Sequence, residues 1–173
     1  MSSQIDPELP NRYKDQSGRT ITALSTKRPL LLVFLRHFGC TFCRQAVADL
    51  GEISKDIDKK GTQLAFVHLS DDEAKAQKFF APYHFIDLPR FADPEGKLFE
   101  AFGLVRGNWR NYLTYESILR TLIAWLEGHW IGVPAGDIQC MPGVFLFHNG
   151  RIRKSFRHKL VSDRPDYLAL ATE

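Results

Sequence analysis

The chain has 173 residues, 44% hydrophobic and 25% charged, which is ordinary globular composition and enough length to bury a core without disulfides. Its 23 basic and 20 acidic residues leave a formal charge of +3, too small and too dispersed to suggest a nucleic-acid or membrane-surface partner, and no segment approaches a membrane span. The stretch from Met1 to Pro10 has no basic patch followed by an apolar run, so no secretory signal is expected, and the three cysteines fit the reducing cytoplasm.

In chain order, residues 1–14, interrupted by Pro7 and Pro10, read as an irregular arm ahead of a single domain. Asp15 to Leu24 reads as a turn at Ser17-Gly18 followed by a short alternating strand. Leu30 to Leu35 is apolar without interruption between Pro29 and Arg36, as a strand buried on both faces would be. Beyond Cys40 the apolar positions Ala46, Val47, Leu50, Ile53 and Ile57 follow helical spacing, which predicts a helix to about Lys60 with Gly61 beyond its end. Gln63 to Leu69 is the next buried strand. Ser70 and Glu73 have capping-box spacing, predicting a helix to about Tyr83 that buries Phe79, Phe80 and Tyr83.

A short strand is expected around Pro89 to Ala92, then a turn over Asp93 to Gly96 and a brief helix from Lys97 to Phe102 ended by Gly103. The segment from Leu104 to Gly136 is aromatic, with Trp109, Tyr112, Trp125 and Trp130, and is helix-like over Tyr115 to Glu127. Core packing is the simpler account of it, a substrate-facing wall the alternative. Val144 to His148 and Ile152 to His158 flank Asn149-Gly150, a strong hairpin signal. Arg157-His158 and Ser162-Asp163 read as a solvated edge and a helix cap, before a closing helix over Asp166 to Ala171 begun by Asp163 or Pro165. Alternation of strand and helix makes the chain an α/β protein.

The chemistry gathers where the first buried strand stops. Cys40 and Cys43 fall in the first turn of the following helix, where unpaired N–H groups and the positive end of the dipole stabilise an anion. Thiols in such settings commonly titrate at roughly 3.5–7.5 rather than about 8.5, so Cys40 is expected as a thiolate. Arg44, one turn on, and Arg36 and His37 just upstream are candidate positive charges. Cys43, three residues along the same helical face, is within reach to form a disulfide with Cys40. Two inert buried cysteines, or a metal site completed by Cys140, are the alternatives, and His37 has a structural reading beside the functional one.

The Arg36-His37-Phe38-Gly39-Cys40-Thr41-Phe42-Cys43-Arg44 run, the Asp93-Pro94-Glu95-Gly96-Lys97-Leu98 turn and the Gly143 to Ile152 end together resemble a peroxiredoxin-like branch of the alkyl hydroperoxide reductase and thiol-specific antioxidant superfamily. This is its Cys-x-x-Cys, selenoprotein-L-like and prostamide-synthase-like group. The resemblance implies a thioredoxin-like three-layer α/β/α fold with a central mixed sheet and a helical, aromatic insertion before the final hairpin. It implies a cis proline at Pro142, in a loop lying against the dithiol. Cys40 would then be the attacking thiol and Cys43 the resolving one. The activity implied is thiol-dependent reduction of a peroxide or related small oxidant, with no bound metal or cofactor and with thioredoxin, glutaredoxin or glutathione as external reductant. A homodimer is left open. The chain departs from typical members at Val33 and His37, where they carry proline and threonine, and it lacks their late arginine at Met141-Pro142, so Arg36, Arg44 or Arg157 would have to supply the charge. A protein disulfide reductase and a non-enzymatic redox-switch binding module are the rival readings.

Overall fold

The computed structural model describes residues 5–104, 140–160 and 163–172. Their elements are α1 (Leu9–Arg12), α2 (Ile21–Lys27), β1 (Leu30–Leu35), α3 (Thr41–Lys59), β2 (Gln63–His68), α4 (Glu73–Phe80), β3 (Arg90–Ala92), α5 (Lys97–Ala101), β4 (Gly143–His148), β5 (Arg151–Arg157) and α6 (Tyr167–Leu170). The strands form a five-stranded sheet in the order β3-β2-β1-β4-β5. β1 pairs in parallel with β2, and β2 with β3, while β4 lies antiparallel to both β1 and β5, so the sheet is mixed.

Every residue of β1 is buried, because side chains alternate across a sheet covered on both faces. Leu31, Val33 and Leu35 join α3, α4 and α6 on one face, with Cys40, Cys43, Val47, Leu50 and Tyr167. Leu30, Leu32 and Phe34 join α2 and α5 on the other, with Phe99, Phe102, Phe145 and Phe147. These are the three layers of a thioredoxin-like α/β/α fold.

The hairpin turns as its sequence predicts: Asn149 and Gly150 both take positive φ, 51° and 73°, which a tight turn between right-twisted strands demands. Gly143 opens β4 for a different reason. A Cβ there would stand 2.6 Å from Leu104 Cδ2 and 2.9 Å from Phe145 Cε2, so any side chain would displace the packing under the strand.

Several local expectations are corrected. The stretch after Ser17-Gly18 is helical, not a strand. Thr20 accepts the N–H of Ala23 at 3.1 Å and so caps α2, and Ile21 and Leu24, three apart, are the buried positions. One helical turn, α1, lies within the arm expected to be irregular. α4 is capped by Asp72 rather than Ser70. The Asp72 carboxylate accepts from Lys75 N, while Ser70 Oγ accepts the N–H of Asp72, and the α-helix stops at Phe80 before a 3-10 turn over Ala81–Tyr83. Asp166, not Asp163, caps the closing helix. The helix-like run Tyr115 to Glu127 and its surrounding aromatic segment, with Ser162, lie outside the described residues.

Candidate active site

β1 ends at Leu35, and the chain crosses Arg36 to Gly39 before Cys40 caps α3 in extended conformation. Both cysteines are reduced and buried, Cys40 7% and Cys43 3% exposed. The Cys43 thiol hydrogen-bonds the Cys40 sulfur, and this contact does most to draw the Cys40 pKa down, to about 6. Burial works against it. The nearby Arg36 guanidinium and the N–H groups of Phe42 and Cys43 at the start of α3 work with it. Cys43 moves the other way, well above an ordinary thiol, because its proton is held by the Cys40 sulfur and the site is buried. The pair therefore holds one nucleophilic sulfur and one protonated partner near neutral pH.

Arg36 is the cation of this site, itself only 5% exposed. Its charge favours the anion of both cysteines. Its Nη2 also lies 3.3 Å from His37 Nε2. A guanidinium only donates, so His37 accepts at Nε2 and carries its proton on Nδ1. Burial, with the charge of Arg36 second, lowers the His37 pKa to about 4, so the ring is neutral at pH 7 and adds no charge to balance the thiolate.

The other two arginines do not join the dithiol. Arg44 points its guanidinium over the Phe79 ring, 5.7 Å from the centroid. Arg157 lies across the opposite face, over the Phe145 ring at 4.9 Å, with Nε donating to the Phe102 carbonyl at 2.9 Å. Cys140 is also buried on that face and does not line the dithiol cavity.

Pro142 does come to the dithiol, but the peptide bond before it is trans: there is no cis bond among the described residues. A cis X–Pro bond is the less stable isomer by about 0.5–1 kcal/mol and persists only where surrounding structure selects it. Here the Pro142 carbonyl accepts the N–H of His158 at 3.3 Å, which carries the β4-β5 ladder one step past Gly143 instead of turning the chain.

A cavity opens beside the sulfurs, with about 30 Å³ of free volume, room for one or two water-sized molecules. Cys40, Cys43, Arg36, Pro142, His158 and Tyr167 are among its walls. His158 and Tyr167 escaped the sequence reading. The sequence places His158 on a solvated edge, yet its Nδ1 is buried, and burial holds its pKa near 4. Its signal was in the alternation of β5: Phe156 pairs with Val144, which packs on the α3 face, so His158, two residues on, faces the same way and Arg157 does not. Tyr167 had only its place in a short closing helix. Burial, with the charges of Asp49 and Cys43, raises its hydroxyl pKa. Among the described residues no group of three or more His, Cys, Asp or Glu is arranged to hold a metal ion, and no helix is long and apolar enough to cross a membrane.

Comparison with known proteins agrees with this architecture. Peroxiredoxin-like 2A of Bos taurus is 26% identical over 151 residues, 84% of this chain and 65% of that protein. Peroxiredoxin-like 2C of Mus musculus is 29% identical over 58% of this chain and 44% of its own length, so the chain spans under two thirds of these relatives. Peroxiredoxin Q of Xanthomonas campestris superposes with a TM-score of 0.61 at 18% identity, covering 92% of this chain and 85% of that one. The peroxidoxin BcpB of Mycobacterium tuberculosis does so with a TM-score of 0.63 at 16% identity, over 92% and 89%; at such identities the likeness is one of fold. The model of the AhpC/TSA family matches residues 5–154, and it is to this family, with a thioredoxin-like fold, that the chain belongs.

Proposed function

We propose that the protein is a thiol-dependent peroxidase in which Cys40 attacks a small peroxide and Cys43 resolves the product. The observation that carries this reading is the dithiol itself: a sulfur drawn down to about 6 by a thiol donor, a buried guanidinium and helix N–H groups, beside a cavity of small volume. The Cys40 sulfur forms a bond to the distal peroxide oxygen. The O–O bond breaks, its electron pair leaves with the alkoxide or hydroxide, and that oxygen takes up a proton. The resulting sulfenic acid loses its hydroxyl as water when the Cys43 sulfur attacks, the Cys43 proton completing the water, which leaves a Cys40–Cys43 disulfide. An external thiol of the thioredoxin, glutaredoxin or glutathione class then restores both thiols, and no bound metal or prosthetic group is required.

The burial of Cys40 favours a small oxidant over a protein disulfide, whose sulfur would have to reach the thiol of a residue only 7% exposed. Stopped-flow thiol oxidation with hydrogen peroxide and an organic hydroperoxide, with mass spectrometry of the products, tests the reading. Fast loss of both thiols is expected in the wild type, a trapped sulfenic acid in Cys43→Ser, and no fast phase in Cys40→Ser. A wild-type rate no better than that of free cysteine would overturn it.

A further inference from the structure

We propose that His158 is a catalytic residue of this site, its buried ring nitrogen hydrogen-bonding the peroxide and holding the O–O bond in line with the Cys40 sulfur. The inference rests on the peroxidase reading above and adds a group to it.

Three observations converge. His158 lines the same small cavity as both sulfurs and Arg36, whereas His37 does not. Its Nδ1 is buried and makes no well-formed hydrogen bond among the described residues, the Leu160 carbonyl being the backbone group that pulls on the ring, a costly arrangement in a residue that lines a cavity unless something in that cavity satisfies it. The ring is also held in place: it packs edge-on against Phe156 with centroids 5.1 Å apart, and its backbone N–H is tied to the Pro142 carbonyl. A group that must orient a two-oxygen substrate needs such fixation.

Among the other polar residues of the cavity wall, three are placed differently. Asp163 accepts the N–H groups of Lys159 and Leu160 at 2.8 and 2.9 Å. Arg164 is exposed. Tyr167 sits with Asp49 and Cys43, on the resolving side. Burial and the charge of Arg36 keep the His158 ring neutral, against the opposing pull of Asp163 and the Leu160 carbonyl. A neutral ring suits the task. It offers a hydrogen bond to oxygen without adding a charge that would pair with the thiolate and blunt it. In the step itself the sulfur is oxidised to sulfenic acid and the peroxide reduced to an alcohol or water. The ring changes neither count; its hydrogen bond to the peroxide fixes the angle of attack.

Alkylation separates this role from a structural one. Iodoacetamide needs the Cys40 thiolate but not an oriented peroxide, because iodide leaves without a proton. In His158→Leu, the second-order rate with hydrogen peroxide is expected to fall roughly ten- to a hundredfold while Cys40 alkylation stays within about twofold, and His158→Gln, which keeps a hydrogen-bonding group, should recover part of the loss. Should the leucine variant not fold, His158→Gln and His158→Asn against the wild type carry the same comparison. Equal losses in both rates, or an unchanged peroxide rate in a wild type that is itself fast, would overturn the role of His158 and leave the peroxidase reading standing. A wild type no faster than free cysteine would overturn both.

Discussion

The two faces of the sheet are made from alternate residues of the same strands and do different work. On the α2 and α5 face the rings of Phe34, Phe99, Phe102 and Phe145 meet at 4.9–5.4 Å between centroids, a packed cluster whose own arginine, Arg157, is held by a carbonyl and a ring. On the α3 face the apolar packing gives way, at the end of β1, to the two sulfurs, Arg36 and His158 around a small cavity. One face anchors the sheet, and the other bears the thiol whose pKa is drawn down, within a few residues of each other. Burial alone therefore does not bring a cysteine to the site: Cys140 is as buried as Cys40, at 7%, but on the packed face.

The largest way to break this division is to hollow the anchoring face. Phe102→Ala is expected to cost about 3–5 kcal/mol in urea unfolding. The pH midpoint of Cys40 alkylation should stay near 6 in the folded variant; a moved midpoint would mean that the two faces are coupled.

A smaller effect comes from acid. Burial lowers the His68 pKa to about 4, against about 6.5 in an unfolded chain, so the unfolded state binds more protons in between. That contribution is present above pH 6.5 and is lost as pH falls towards 4. His37 and His158 shift in the same direction. Unfolding free energy should drop by roughly 2 kcal/mol from His68 alone between pH 7 and 4.5. The slope should ease in His68→Phe, and an unchanged slope would remove this ring as its source.

The smallest and sharpest comparison sets one arginine against the other. Arg36→Met should raise the alkylation midpoint and slow Cys40 alkylation about tenfold below it, one pKa unit being tenfold in thiolate. Arg157→Met, on the opposite face, should leave it within about twofold. Equal effects would contradict the assignment of Arg36 as the cation of the site.

Much of this was legible in the chain. The uninterrupted run Leu30 to Leu35, the helical spacing after Cys40 and the Asn149-Gly150 turn are strong local patterns, and each produced the element it predicts. Weaker signals misled where two local solutions compete. Thr20 to Leu24 satisfies a strand alternation and a capped helix alike, and the helix won because it buries Ile21 and Leu24 together. Ser70 and Asp72 both offer a capping oxygen, and the one whose carboxylate meets Lys75 N begins α4.

By itself, the sequence determined that two thiols stand at the start of a helix that follows a buried strand, because strand, cap and helix depend on neighbours in the chain. Which charges and rings meet those thiols was decided only by the tertiary structure. Arg36, Arg44 and Arg157 are equivalent as residue types, and His37 is nearer to Cys40 in sequence than His158 is. Pairing across β4 and β5 sets which side chains face α3. A step of one residue along a strand reverses the face, so Arg157 lies over the Phe145 ring and His158 lines the cavity beside the sulfurs.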